Sequence, residues 1–183
     1  MLKKYYPYEH IDSVFSIDYN KLYKLGYRGI IFDLDNTLVH HGDNSNEKVD
    51  NLFKEIKESG LKTIILTNND SERVKRFIKN IDTMYICDAE KPNKAGYLLA
   101  LKKLRLKKNK VVYIGDQIFV DIIGANNCGI PSILVNFIRI PGVTKIGKKR
   151  YIEKIILFFY KRSKYYNRLN IIRGDIDEKK AIL

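Results

Sequence analysis

The chain has 183 residues, 45% of them hydrophobic, enough for one sizeable core and too few for two. Its 34 Lys+Arg exceed its 21 Asp+Glu by 13, so an acidic partner or surface is expected. Its two cysteines, Cys87 and Cys128, give neither a disulfide framework nor a C-x-x-C metal pair, which implies reduced core thiols in a cytoplasmic compartment.

The opening stretch MLKKYYPYEHIDSVF has basic residues but no apolar h-region, so no secretory signal is read there. Arg28–Leu34 then reads as a short, buried, β-branched strand. The segment GDNSNEKVDNLFKEIKESG places Val49, Leu52, Phe53 and Ile56 on one helical face, with Asn44 or Ser45 as cap and Gly60 just past the end. Leu61–Leu66 is a second buried strand. A helix capped by Asp70 or Ser71 follows, with Val74, Phe77 and Ile78 on one face, and a short strand lies near Met84–Cys87. Pro92 sits where a helix can begin, and Leu98, Leu99, Leu101 and Leu104 are expected to form that helix's apolar side. Lys110–Ile114 is a fourth strand, Ile118–Asn127 a helix that Gly129 terminates, and Pro131–Val135 a fifth strand. Strands alternating with helices of this length predict parallel βαβ units in a three-layer α/β sandwich.

The charge is uneven along the chain. From Lys145 onward there are 12 Lys+Arg against 4 Asp+Glu, or +8, which leaves +5 of the total +13 for residues 1–144. This division sets a domain of residues 1–144 apart from a basic extension of residues 145–183. Within the extension, KKRYIEKIILFFYKRSKYYNR places Ile152, Ile155, Ile156 and Phe159 near one face of a helix ringed by Lys and Arg. Such a helix reads as binding a membrane surface through residues 145–168, or as packing on its own domain with its charge turned to solvent. Ile155–Tyr160 is far shorter than the roughly 20 residues that span a bilayer, so membrane contact would be peripheral, at the inner face. Nucleic acid is the weaker partner, because no recognised nucleic-acid motif accompanies the aromatics between Tyr151 and Tyr166.

In a parallel sheet, ligands bind outside the carboxyl ends of the strands. Here those ends carry Asp33 and Asp35, then Thr67 and Asn68, then Asp88 with Lys91, and finally Asp116 with Asp121 one helical turn on. Each has an ordinary reading alone: a solvated turn, a helix entry, a surface lysine. Together they suit phosphoryl transfer. Clustered carboxylates repel unless a hard cation neutralises them, and Mg²⁺ takes oxygen ligands from one or two carboxylates, waters and a substrate phosphate. A carboxylate can also act as nucleophile, splitting hydrolysis into formation and breakdown of an acyl phosphate.

FDLDNTLV, ILTNN, the A-x-K-P of Ala89–Pro92 and GDQIFVDIIGAN resemble, in order, the four motifs of the haloacid dehalogenase (HAD) superfamily, and more narrowly its capless YqeG-like phosphatases. The resemblance covers roughly residues 5–140 and extends to phosphatidylglycerophosphate phosphatases, which are similar to this group. It implies Asp33 as nucleophile and Asp35 as general acid, then base. Mg²⁺ would be held by Asp33, the Asp35 backbone carbonyl and Asp116. Thr67 and the Asn68 N–H would take the phosphoryl oxygens, Lys91 would balance charge, and Asp121 would support either the metal or Lys91. Lys94 is a rival for the lysine; the pre-proline position of Lys91 is non-helical and can aim inward. No long insertion interrupts the motifs, so no cap domain is expected and the site should be open. The favoured function is hydrolysis of phosphatidylglycerophosphate. The alternatives are a soluble phosphatase of nucleotides or small phosphometabolites and, from another class, a non-enzymatic adaptor that binds RNA or a partner.

Overall fold

The computed structural model describes residues 2–138 and 147–173; the 144/145 boundary and residues 174–183 lie outside them. In chain order the elements are β1 (Glu9–Ile11), α1 (Tyr19–Lys24), β2 (Gly29–Phe32), α2 (Glu47–Glu58), β3 (Lys62–Leu66), α3 (Ser71–Phe77), β4 (Met84–Ile86), α4 (Lys94–Leu104), β5 (Val111–Gly115), α5 (Ile123–Cys128), β6 (Ser132–Val135) and α6 (Lys148–Lys161). The six strands form one sheet in the order β1-β6-β5-β2-β3-β4, with every pairing parallel. The expected three-layer α/β sandwich is therefore present, and among the described residues nothing is built as a cap over it.

Alternation along β2 assigns the layers. Ile30 and Phe32 face Val49, Leu52, Phe53 and Ile56 of α2 and Val74 and Phe77 of α3. Ile31 faces the opposite layer, with Tyr97, Ala100 and Leu104 of α4 and Ala125 of α5. Because β2 lies between β3 and β5, its carboxyl end delivers Asp33 to the middle of the sheet.

Several boundaries differ from expectation for local reasons. The cap of α2 is Asn46 and not Asn44 or Ser45, since its side-chain oxygen accepts the Val49 N–H at 3.1 Å; Gly60, at φ 86°, stands just past the helix as expected. Helix α4 starts at Lys94 behind an Asn93 cap, leaving Pro92 outside. Its buried side is Gly96, Tyr97, Ala100 and Leu104, whereas Leu98 and Leu99 are exposed. Small residues decide this rotation, because they let α4 approach the sheet: a Cβ on Gly96 would lie 3.0 Å from the Leu66 side chain. The expected helix from Ile118 opens with a π-helical turn, Ile118–Ile122, before α5. In that turn the N–H groups of Asp121 and Ile122 both reach the Gln117 carbonyl.

Gly124 in α5 lies against the Tyr97 ring, and a Cβ there would collide with the ring and its hydroxyl. That hydroxyl donates to the Val120 carbonyl at 3.0 Å. Gly124→Ala is accordingly expected to cost about 1–3 kcal/mol, the usual price of overpacking, measured by denaturant titration. A neutral result would mean that Tyr97 can yield without loss.

The sequence pattern does not reveal β1, which is three residues long and begins on a fully buried acid. Glu9 is tolerated there because its Oε2 accepts the N–H groups of Leu169 (2.8 Å) and Asn170 (2.7 Å), and its Oε1 that of Ile171 (3.1 Å). Ile171 enters the main core, and Ile172 bridges to Ile17. Helix α6 docks on the π-helical turn and β6 through Ile156 and Tyr160, which meet Ile118, Ile122 and Leu134. The predicted apolar face of α6 is thus corrected. Of its members only Ile156 is buried, while Ile152, Ile155 and Phe159 are exposed, and Glu153 points inward because its Oε1 accepts the Ile118 N–H at 2.8 Å.

Candidate active site

Asp33 follows the last residue of β2, and its own N–H still pairs with the Ile114 carbonyl at 2.8 Å. Its carboxylate is gripped on both sides: Lys91 Nζ donates to Oδ1 at 2.6 Å and the Thr37 hydroxyl to Oδ2 at 2.9 Å. The same hydroxyl lies 3.5 Å from Asp116 Oδ1, at the end of β5. Thr37 therefore stands between two buried carboxylates.

Lys91 is buried and donates also to Asp121 Oδ1 at 2.8 Å and to the Tyr113 hydroxyl at 2.9 Å. Burial alone would lower its pKa, but Asp121 and Asp33 outweigh burial and hold it well above the ordinary lysine value. Asp121 is in turn fixed by the Tyr113 hydroxyl (2.6 Å) and, at Oδ2, by the Gln117 N–H (3.0 Å). Oδ1 of Asp121 is thereby shared by Lys91 and Tyr113, and Oδ2 is held by the backbone of Gln117. Lys94 is exposed at the start of α4, so only Lys91 enters the cluster.

Asp35 lies apart, in a different environment. Its Oδ1 accepts from Arg73 Nη2 at 2.7 Å and from the Gly42 N–H at 3.3 Å, while its Oδ2 accepts from Asn69 Nδ2 at 2.9 Å. Partial burial would raise its pKa, yet the hydrogen bonds from Arg73 and Asn69 and the guanidinium charge hold it below the usual carboxylate value. Thr67 is buried, and its hydroxyl oxygen accepts from the Asn69 side chain at 2.8 Å. Asn68 clasps the Lys91 peptide with both amide atoms, accepting its N–H at 2.7 Å and donating to its carbonyl at 3.2 Å.

Two participants come from places that sequence reasoning passed over. Arg73 sits in the first turn of α3, three residues after its Asp70 cap, where an arginine ordinarily reads as solvated. Arg150, at the start of α6, pairs with the Asp116 carboxylate, donates to the Asp116 carbonyl at 2.5 Å and reaches Glu153 Oε2 at 3.0 Å. A lone glutamate in a basic helix was the available signal for Arg150; which distant acid it meets depends on how the helix docks.

The donor set fits a divalent cation. Ligand atoms of Asp33, Asp116 and Asp121 lie within 4.8 Å of one another, all buried. All three are already paired, Asp33 with Lys91 and Thr37, Asp116 with Arg150 and Asp121 with Lys91 and Tyr113, so a cation would enter by displacing part of this network. Burial pushes Asp33 up to about 6 against the pull of Lys91. Asp116 is pushed up to about 8, by burial first and then by the charges of Asp33 and Asp121, with Arg150 opposing. Acid in excess of its counter-charge is what a hard cation relieves.

A testable consequence concerns stability. A carboxyl whose folded-state pKa stands above its unfolded value binds protons more tightly when folded. The stability it confers is present in acid and is lost as pH rises through about 6 for Asp33 and about 8 for Asp116. Without divalent cation, the melting temperature is expected to fall between about pH 5 and pH 8.5, each unit of separation being worth about 1.4 kcal/mol. The slope should flatten in Asp116→Asn, and added divalent cation should restore stability at the alkaline end. Differential scanning calorimetry at fixed ionic strength checks this; a rising curve in the wild type would contradict it.

Comparison with known proteins agrees with this architecture. A family model described as haloacid dehalogenase-like hydrolase matches residues 42–129. "Probable phosphatase YqeG" of Bacillus subtilis (strain 168) is 37% identical over 168 residues, covering 88% of this chain and 95% of that one. Among solved structures, an uncharacterized protein from Listeria monocytogenes serotype 4b superposes with a TM-score of 0.50 at 20% identity, covering 74% of this chain and 99% of that one. The cobalt-bound deoxy-D-mannose-octulosonate 8-phosphate phosphatase (YrbI) of Haemophilus influenzae has a TM-score of 0.46 at 17% identity, covering 78% and 93% of the two chains. The chain belongs to the haloacid dehalogenase-like hydrolases. Within that superfamily it groups with the YqeG-like proteins, as a phosphatase.

Proposed function

We propose that the chain is a Mg²⁺-dependent phosphomonoesterase that works through an aspartyl phosphate on Asp33, with phosphatidylglycerophosphate as its favoured substrate. The observation that carries the chemistry is the pairing of two carboxylates two residues apart in opposed environments. Asp33 is buried and raised against Lys91 and Thr37, and Asp35 is lowered by Arg73 and Asn69. Asp33, inside the acid cluster, would be ionised for attack once a cation binds, and Asp35, outside the cluster, is left for proton transfer, taking up its proton from solvent before the first step.

In this reading an Asp33 oxygen attacks phosphorus, the ester P–O bond breaks, and the leaving oxygen takes a proton from Asp35. Water then attacks the aspartyl phosphate while Asp35 accepts its proton, the bond to Asp33 breaks, and inorganic phosphate departs. Thr67 and the Asn68 N–H orient the phosphoryl oxygens, and Lys91 offsets the charge that builds between Asp33 and phosphate. Asp33, Asp116 and the Asp35 backbone carbonyl would hold Mg²⁺, which when bound polarises the phosphoryl group and screens the acids.

The lipid substrate is supported by the open, capless site and by the outer side of α6. Tyr151, Ile152, Ile155, Phe158 and Phe159 are exposed there, with Lys148, Lys149, Lys161 and Arg162 beside them. Each Lys or Arg near an anionic surface is worth about 1 kcal/mol, and that attraction is screened over about 8–10 Å at ordinary salt. No helix among the described residues is long and apolar enough to cross a membrane, so the contact would be peripheral. Turnover of phosphatidylglycerophosphate vesicles against a nucleotide and sugar-phosphate panel, with Mg²⁺, Ca²⁺ or chelator, tests the proposal. Vesicle turnover that needs Mg²⁺, is poorly supported by Ca²⁺ and weakens with salt is expected. Strong nucleotide turnover beside inert vesicles would favour the soluble-metabolite reading, and full activity in excess chelator would remove the metal.

A further inference from the structure

Next to the phosphoryl site a cleft of about 370 Å³ opens between the carboxyl ends of β1 and β6 and one flank of α6. Asp116, a member of the acid cluster, lines its inner end, paired with Arg150. Its helical wall is a single stripe, Arg150, Glu153, Lys154 and Leu157, at i, i+3, i+4 and i+7. Opposite stand Leu134 and Val135, with His10 and Asn136 at the polar end, His10 Nε2 lying 3.0 Å from Asn136 Oδ1.

We propose that this cleft receives the organic part of the phosphomonoester, and that Lys154 binds a second anionic group carried on it, a phosphodiester or a carboxylate. The inference deepens the phosphatase reading above and rests on it.

Asp116 and Glu153 are both held by Arg150, and Glu153 also accepts the Ile118 N–H at 2.8 Å. Neither acid is left to face the cleft unpaired, and Arg150 is fixed at the junction with Asp116. Lys154 differs: among the described residues it has no carboxylate within ion-pair distance, and its Nζ lies 5.7 Å from the centroid of the Tyr151 ring. His10 is half-buried, and burial lowers its pKa, so it offers a neutral polar edge and no competing cation. Leu134, Val135 and Leu157 give the space between an apolar lining suited to a short carbon linker. The volume lies at the low end of the roughly 300–1,000 Å³ of small-molecule sites, room for a head group and not for acyl chains.

The test uses the full chain and three soluble esters: glycerol 3-phosphate, 3-phosphoglycerate, and glycerophosphoglycerol phosphate, which carries a phosphodiester. The wild type is expected to prefer at least one doubly anionic ester over glycerol 3-phosphate in kcat/KM by about tenfold. Lys154→Glu should erase that preference, mainly through KM, since a hydrogen bond to a charged group is worth about that much. Which doubly anionic ester wins identifies the anion. Calorimetric binding of glycerophosphoglycerol, which has no monoester to hydrolyse, reads the cleft without turnover and should weaken at least as much in Lys154→Glu, with Lys154→Ala intermediate. Equal wild-type kcat/KM for all three esters, or a preference and diester binding untouched by Lys154→Glu, would overturn the inference. If no ester is hydrolysed the phosphatase reading fails on its own; diester binding sensitive to Lys154→Glu would then still support the anion site, and its absence would overturn it.

Discussion

Asp33→Asn is expected to leave less than about a thousandth of wild-type turnover, with the protein folded. The substitution is nearly isosteric and keeps an oxygen to accept from Lys91 or Thr37, but the amide is a poor nucleophile and a poor ligand for a hard cation. Lys91 retains Asp121 as counter-ion, 2.8 Å away, so the buried ammonium is not stranded and the cluster need not collapse. Enzymes commonly accelerate their reactions by 10⁶-fold or more, which leaves a wide range in which to see the loss. Steady-state kinetics on any accepted ester, with circular dichroism as control, decides it. A folded variant with a tenth of the activity would require another nucleophile.

Asp35→Asn should lower turnover by roughly 10²–10⁴, the usual worth of general acid–base catalysis, and should keep divalent-cation binding. The hydrogen-bonding pattern sharpens the expectation. Asp35 is held ionised by Arg73 and Asn69, the form that suits it to take a proton from water in the second half-reaction. With p-nitrophenyl phosphate, whose leaving group needs no proton, the first half-reaction should survive and the aspartyl phosphate should accumulate as a burst. The variant should also melt earlier, because Arg73 is buried and loses its charged partner. A collapse of cation affinity, measured calorimetrically, would mean that the Asp35 side chain serves the metal and not the proton.

How far the sequence disclosed this molecule can be judged from its residues. The central strands were legible because β2 and β5 are buried on both faces and so read as continuous apolar runs that end on acids. The placement of Lys91 over Lys94 was legible from the proline that follows it. Strand β1 was not, because its buried Glu9 is stabilised by N–H groups of Leu169, Asn170 and Ile171 at the far end of the chain. The buried side of α4 was misjudged because leucine outranks glycine and alanine in apolarity, while close packing against the sheet selected Gly96 and Ala100. Arg73 and Arg150 were invisible for a related reason. An arginine's partner is a tertiary fact, and local spacing says nothing of an acid 38 or 34 positions away.

The clasp of Glu9 by the backbone at Leu169–Ile171 has a consequence for the order of synthesis. An edge strand is normally among the easier elements to complete, yet this one cannot bury its carboxylate until the donors at Leu169–Ile171 have been synthesised. The nascent protein can lay down β2 through β6 while β1 waits, its acid hydrated, for a segment 160 or more positions downstream. Closing so long a loop is the slow kind of event in folding. Quality control would then meet a nearly finished sheet with one open edge, and a stop codon a few residues before Leu169 would leave that edge exposed for good.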